Sequence, residues 1–220
     1  MMQSAFGLSI PMTLEDVCYP QKMALLVYDM QVGIAQQLPN AVEFIQQVKQ
    51  VVDVARSHQM RVFFSRHTTL PKEIAGVSQL KGAMALQRVT TVAEVQPNFL
   101  PDSAAHAVVP DLAPLPSEVA FDKLTMSAFV GSYLDLALRD ARIEAIAIVG
   151  AVLEFGIEPT VRHAADLGYV PVLISDACYS FSEQNRTTSL AALQSTSLIT
   201  DINTFHTTLE RVHQNEVDVI

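Results

Sequence analysis

Five short apolar runs in this sequence show almost no polar alternation: residues 24–28 (ALLVY), 61–65 (RVFFS), 118–121 (EVAF), 145–149 (AIAIV) and 170–175 (VPVLIS). A strand with one face in water alternates apolar and polar residues. A strand that stays apolar throughout has both faces covered, the situation of parallel sheets flanked by helices. A sixth and weaker run, 197–200 (SLIT), fits a sheet edge. Helical spacing fills the gaps. In 41–58, Val42, Ile45, Val48, Val52 and Ala55 recur at helical steps after Pro39-Asn40. Stretches 131–141, 159–167 and 182–194 supply further helices, the last entered through Ser182. This alternation predicts an α/β fold: a doubly wound, mainly parallel six-stranded sheet with helices on both faces.

The 220 residues fit a single domain over 1–220. Half of them are hydrophobic and 17% are charged, so the chain can bury a core without disulfides or metals, and disorder is excluded. A net charge of −9 argues against nucleic acid as a partner, because phosphate binding needs a basic patch. It leaves room for a small-molecule substrate, which needs only one or two local cations. Cys18 and Cys178 make no disulfide scaffold. The N-terminal stretch has neither the basic flank nor the apolar core of a signal peptide. No apolar run approaches the length of a membrane span. These features predict a cytoplasmic protein with no membrane partner.

Residues 66–117 stand apart. They contain Pro71, Pro97, Pro101, Pro110, Pro114 and Pro116, and only one helix-like piece, 77–86. Long irregular insertions in compact domains are usually functional. This one reads as a lid or as a subunit contact in a homodimer or higher homo-oligomer; the alternative is a surface excursion without ligand contact.

Three points carry candidate chemistry. Asp29 follows LLVY, at the C-terminal end of a buried strand, where α/β proteins bind ligands. Lys123 follows EVAF and Asp122 at another strand end. The turn after AIAIV runs from Gly150 to Gly156 into a helix with Pro159 near its start. A helix N-terminus offers N–H groups and partial positive charge to an oxyanion. Each signal alone has an ordinary explanation: a capping acid, a solvated lysine, a plain turn. Their order along the chain is what points to a site, and Asp29 and Lys123 are expected within about 4 Å of each other, the range at which a cation acts on a carboxylate.

Those residues also carry a resemblance. LLVYDMQVGI, FDKLTMSAFVGSYLDLALRDARIEAIAIVG and GAVLEFGIEPTVRHAADLGYVPVLISDACYS are similar, in that order, to the catalytic-aspartate strand, the catalytic-lysine segment and the nucleophile turn of the isochorismatase-like (cysteine hydrolase) family. The resemblance runs from about residue 8 to residue 205. It implies a hydrolase fold with Asp29 as acid/base and Lys123 as its electrostatic partner. The turn 152–156 becomes the oxyanion site, with a cis peptide at Val152-Leu153. The family's nucleophilic cysteine maps to Gly156, and Cys178 maps to a non-nucleophilic position after the next strand.

Glycine at this position is also seen in members that act on isochorismate, a vinyl ether, without a covalent intermediate. Yet their Tyr-Ala-His turn element is Val152-Leu153-Glu154 here, and their extra arginine is replaced by Thr125-Met126. Substrate contacts are assigned to Arg66, His67, Phe129, Val152, Leu153, Glu154 and Phe155, while Glu154 and Glu158 read equally well as solvated or capping acids. Where some members bind zinc through Asp-x-His, this chain has Ser65-Arg66-His67, so neither metal nor cofactor is expected. Two functions fit: hydrolysis of a small molecule by water attack assisted by Asp29 and Lys123, or binding by a member that has lost catalysis.

Overall fold

The computed structural model describes residues 2–217. A short hairpin, β1 (Gln3–Ala5) and β2 (Leu8–Ile10), opens the chain. There follow β3 (Met23–Tyr28), α1 (Val32–Ala35), α2 (Ala41–Ser57), β4 (Arg61–His67), α3 (Val77–Gln87), β5 (Val119–Lys123) and α4 (Leu134–Asp140). Then come β6 (Ala145–Ala151), α5 (Glu158–Asp166), β7 (Val170–Tyr179), α6 (Glu183–Leu193), β8 (Leu198–Thr200) and α7 (Ile202–Val217). The six expected strands form one sheet, all parallel, in the order β5-β4-β3-β6-β7-β8. The weak run at 197–200 does lie at an edge. Among the described residues no helix is long and apolar enough to cross a membrane.

Every residue of β3 is buried. Its side chains alternate between two cores, as strand geometry requires. Met23, Leu25 and Val27 join Val48, Val52, Phe205 and Leu209 from α2 and α7. Ala24, Leu26 and Tyr28 join Leu134, Leu138, Val161 and Leu193 from α4, α5 and α6. The strand order reverses between β3 and β6: β4 and β5 lie to one side, β7 and β8 to the other. At such a switch point neighbouring connections leave in opposite directions and open a crevice beyond the strands' C-terminal ends.

Boundaries differ from expectation in informative ways. The helix expected over 131–141 begins only at Leu134, and Ser132 Oγ accepts from the Leu134 N–H just ahead of it. Strand β7 runs four residues beyond 175 because its pairing with β6 resumes after a register shift, at Gly150↔Cys178 and Ala151↔Tyr179. The insertion 66–117 contains α3, none of whose residues is buried. Its return is tied to the end of β3: Val32 and Gly33 donate to the carbonyls of Ala107 and Ala105, and Val109 donates to that of Met30. Helix α7 has no counterpart among the expected elements. It begins where the Asp176 carboxylate accepts from the Ile202 N–H at 2.9 Å. Truncating Phe205, 1% exposed, should leave a cavity under α7. Phe205→Ala is expected to lose about 3–5 kcal/mol, measurable by urea denaturation.

Candidate active site

Asp29 is the first residue past β3 and adopts φ of +48°, a left-handed conformation that non-glycine residues seldom take. The turn brings its carboxylate back over the sheet end. Ser65 of β4 donates from Oγ to Asp29 Oδ1 at 2.6 Å, and Lys123 Nζ donates to Oδ2 at 2.7 Å. The Asp29 N–H donates to the Ser65 carbonyl at 3.1 Å. Lys123 also donates to the Thr125 carbonyl at 3.1 Å, and its ammonium stands 4.3 Å from the centroid of the Tyr28 ring. The two charged side chains are only 1% (Lys123) and 6% (Asp29) exposed. The expected proximity of Asp29 and Lys123 is therefore met.

The third expected point follows β6. A wide turn, Leu153–Ile157, closes with the Ile157 N–H on the Val152 carbonyl and leads directly into α5, which has Pro159 in its first turn. Gly156 is buried in this turn. Thr160 Oγ1 donates to the Gly156 carbonyl at 2.6 Å and accepts from the Ala128 N–H at 3.0 Å, which joins the turn to the segment after β5. The cis peptide lies at Ala151–Val152, one bond before the expected Val152–Leu153.

The expected substrate contacts divide. His67 is half-buried, with its ring edge-on to Phe99 at 5.5 Å, and it lies within electrostatic reach of Asp29 and Lys123. Arg66 is committed elsewhere: its Nε donates to Asp122 Oδ1 at 2.8 Å, and His106 Nε2 meets the same oxygen at 3.0 Å. Phe129 is a core residue, packed on Tyr169 at 6.0 Å and on His163 at 5.4 Å. Leu153 is fully buried in the same core, and Val152 is buried in the opposite one. Glu154 Oε1 accepts from the Phe181 N–H and from Asn185 Nδ2, bracing the start of α6. Phe155 is half-exposed against Phe181. Glu158 pairs with Arg162 one turn along α5.

Sequence reasoning gave no role to Gln31, although it stands two residues after Asp29. It is fully buried and makes three bonds: Nε2 donates to the carbonyls of His67 and His106, and Oε1 accepts from the His67 N–H. It therefore splices β4 and the returning insertion onto the end of β3. The signal available was a polar residue directly after a buried strand. Among the described residues no three His, Cys, Asp or Glu side chains converge as a metal site.

The Isochorismatase domain model matches residues 23–204. The chain belongs to the isochorismatase family. It is 30% identical over 171 residues to the isochorismatase family protein YwoC of Bacillus subtilis (strain 168), covering 77% of this chain and 84% of that one. It is 26% identical over 175 residues to the ureidoacrylate amidohydrolase RutB of Caulobacter segnis, covering 73% of each. A cysteine hydrolase structure from Pseudomonas syringae pv. phaseolicola 1448A superposes with a TM-score of 0.73 at 22% identity, covering 88% of this chain and 94% of that one. The isochorismatase family is one of hydrolases, and its fold is the doubly wound sheet described above.

Near the Asp29–Lys123 pair, His67 gives a measurable handle. Burial pushes its imidazole below the ordinary value of 6.5; the charge of Asp29 opposes this, and Lys123 and His106 add to it. The folded protein thus holds His67 neutral at a pH where the unfolded chain binds a proton. That stability is complete above the ordinary value and is lost as pH falls below it. The melting temperature should drop between about pH 7 and about pH 5.5, and His67→Gln should flatten the drop.

Proposed function

We propose that this isochorismatase-family protein hydrolyses a small molecule by direct water attack, without a covalent intermediate. The observation that carries this reading is the buried Asp29–Lys123 pair at 2.7 Å. A buried ion pair contributes little to stability, because desolvation offsets its Coulomb gain. Its position, at strand ends around the switch point, is where α/β proteins place ligands. For a vinyl ether, Asp29 first takes up a solvent proton as the substrate displaces the Lys123 ammonium from its carboxylate, then passes that proton to the vinyl carbon, and water adds to the adjacent oxocarbenium carbon. The water's proton returns to Asp29, and the hemiketal collapses to a ketone and an alcohol. For an amide or ureido acid, Asp29 takes the proton from the attacking water and returns it to the departing nitrogen as the C–N bond breaks, while backbone N–H groups of the turn 152–156 are assigned to the developing oxyanion.

Neither cysteine fits a nucleophilic role. Cys18 and Cys178 are buried; burial pushes the Cys18 thiol up to about 12 and the Cys178 thiol higher still. A second reading, binding without catalysis, is favoured by the closure of the pair from solvent. A cavity of about 490 Å³ lies instead between the start of α2, the end of β7 and the start of α6, walled in part by Phe44, Tyr179 and Arg186.

A panel of vinyl ethers, amides and ureido acids separates the two readings. Asp29→Asn should lower turnover at least ~100-fold, the low end for a positioned acid or base. Cys178→Ala should retain activity, and intact-mass spectra during turnover should show no adduct. No turnover across the panel, with ligand binding retained, would favour the second reading.

The same proposal includes a homodimer. Ile74, Val77 and Leu86, in and beside α3, are 68–75% exposed apolar side chains, and such surface is commonly covered by another subunit. Sedimentation at micromolar concentration should give the mass of a dimer or larger; a strict monomer would remove this part.

A further inference from the structure

Tyr28 has no part in the hydrolytic reading, yet it is the side chain that meets Gly156. It ends β3, is 2% exposed and lies on the α4–α5 face of the sheet. A Cβ built on Gly156 would lie 1.9 Å from the phenolic oxygen, 2.3 Å from Cζ and 2.6 Å from Cε1. Carbon atoms in packing contact stand roughly 3.5–4.0 Å apart, so no side chain fits at 156 while the phenol keeps its place.

The phenol is held there from several sides. Its hydroxyl donates to the Met126 carbonyl, and the Lys123 ammonium stands over its ring. Its backbone is pressed against Gly150, at φ +121°, where a Cβ would lie 2.1 Å from the Tyr28 carbonyl oxygen. Gly150 near the end of β6 and Gly156 in the turn that follows are thus both shaped to one residue of β3. Burial, with the charge of Asp29 beside it, keeps the phenol well above its ordinary value, so the group at this point is a neutral hydroxyl.

We infer that Tyr28 is a specificity-determining residue of this site: its phenol occupies the volume that any side chain at position 156 would need, so the Tyr28 ring and a nucleophile on the turn are mutually exclusive. The chemistry open to the site is set by the pair of positions, not by the glycine alone. Substituting cysteine at 156 without changing residue 28 does not create a competent thiolate. This goes beyond the hydrolytic reading and does not depend on it, because the test below needs no substrate.

The test is a double-mutant cycle of Gly156→Ala and Tyr28→Leu, the latter keeping an apolar side chain but removing the far end of the ring. With Tyr28 present, Gly156→Ala should lower the melting temperature by roughly 2–12 °C, the range of an overpacked core in a chain of this size. In the Tyr28→Leu background, the same change should cost less than half as much. Equal shifts in both backgrounds would overturn the inference. Tyr28→Phe removes the oxygen but leaves Cζ at 2.3 Å, so Gly156→Ala should stay costly beside it.

Thiol chemistry gives the second readout. Gly156→Cys in the Tyr28→Leu background should alkylate with iodoacetamide at least ~10-fold faster than the buried Cys18 and Cys178 of the unsubstituted protein, as expected for a thiol near a helix N-terminus and a lysine. If Tyr28→Leu fails to fold, Gly156→Cys alone still decides. Reduced stability supports the inference; a variant that melts like the unsubstituted protein and alkylates rapidly at residue 156 refutes it.

Discussion

Strand β3 is paired on both edges and covered on both faces, and the rest of the molecule is arranged around that constraint. Its pairing with β4 and β6 runs without a break from Ala24 to Tyr28. The period of two then assigns its side chains to two separate cores. The sheet grows in opposite directions from β3 and β6, which opens a crevice at their C-terminal ends. Asp29 turns there with a positive φ, and the Tyr28 ring fills the space next to Gly156. Backbone strain of this kind persists only where its surroundings hold it. Here Ser65 and Lys123 take one carboxylate oxygen each.

The electrostatics of this cluster are those of a closed shell. Asp29 is met by one hydroxyl and one ammonium, and Lys123 by one carboxylate, one carbonyl and one aromatic face. Removing either charge strands the other in a poorly solvated place, a loss of about 3–5 kcal/mol in comparable pairs. The cluster is therefore rigid as well as charged. Any ligand entering it must replace an existing hydrogen bond with an equally good one.

Long-range order was legible wherever the chain is apolar enough to read. Unbroken runs such as ALLVY and AIAIV announce strands buried on both faces, and their spacing leaves room for a crossover helix. Asp29 and Lys123 were legible for the same reason, since a charge directly after such a run has only the strand end to occupy. The core setting of Phe129 and Leu153 was not legible, because an apolar residue in a candidate turn looks the same in sequence whether it faces a ligand or the core. The ion pair of Arg66 was not legible, because its partner, Asp122, lies 56 residues away in sequence and nothing local announces it. Helix α7 escaped notice because its polar residues dilute the stripe formed by Phe205, Leu209 and Val212.

Lys123 belongs to β5, the outermost strand on its side, and its ammonium reaches across β4 to the end of β3. The two charges are separated by 94 residues of chain. Closing so long a loop is entropically unfavourable until the edge strand docks. A chain that has assembled β3, β4 and β6 but not β5 holds a lone carboxylate at its strand ends. The site thus comes into being with the last strand on that flank, which makes it an indicator of whether folding has reached completion there.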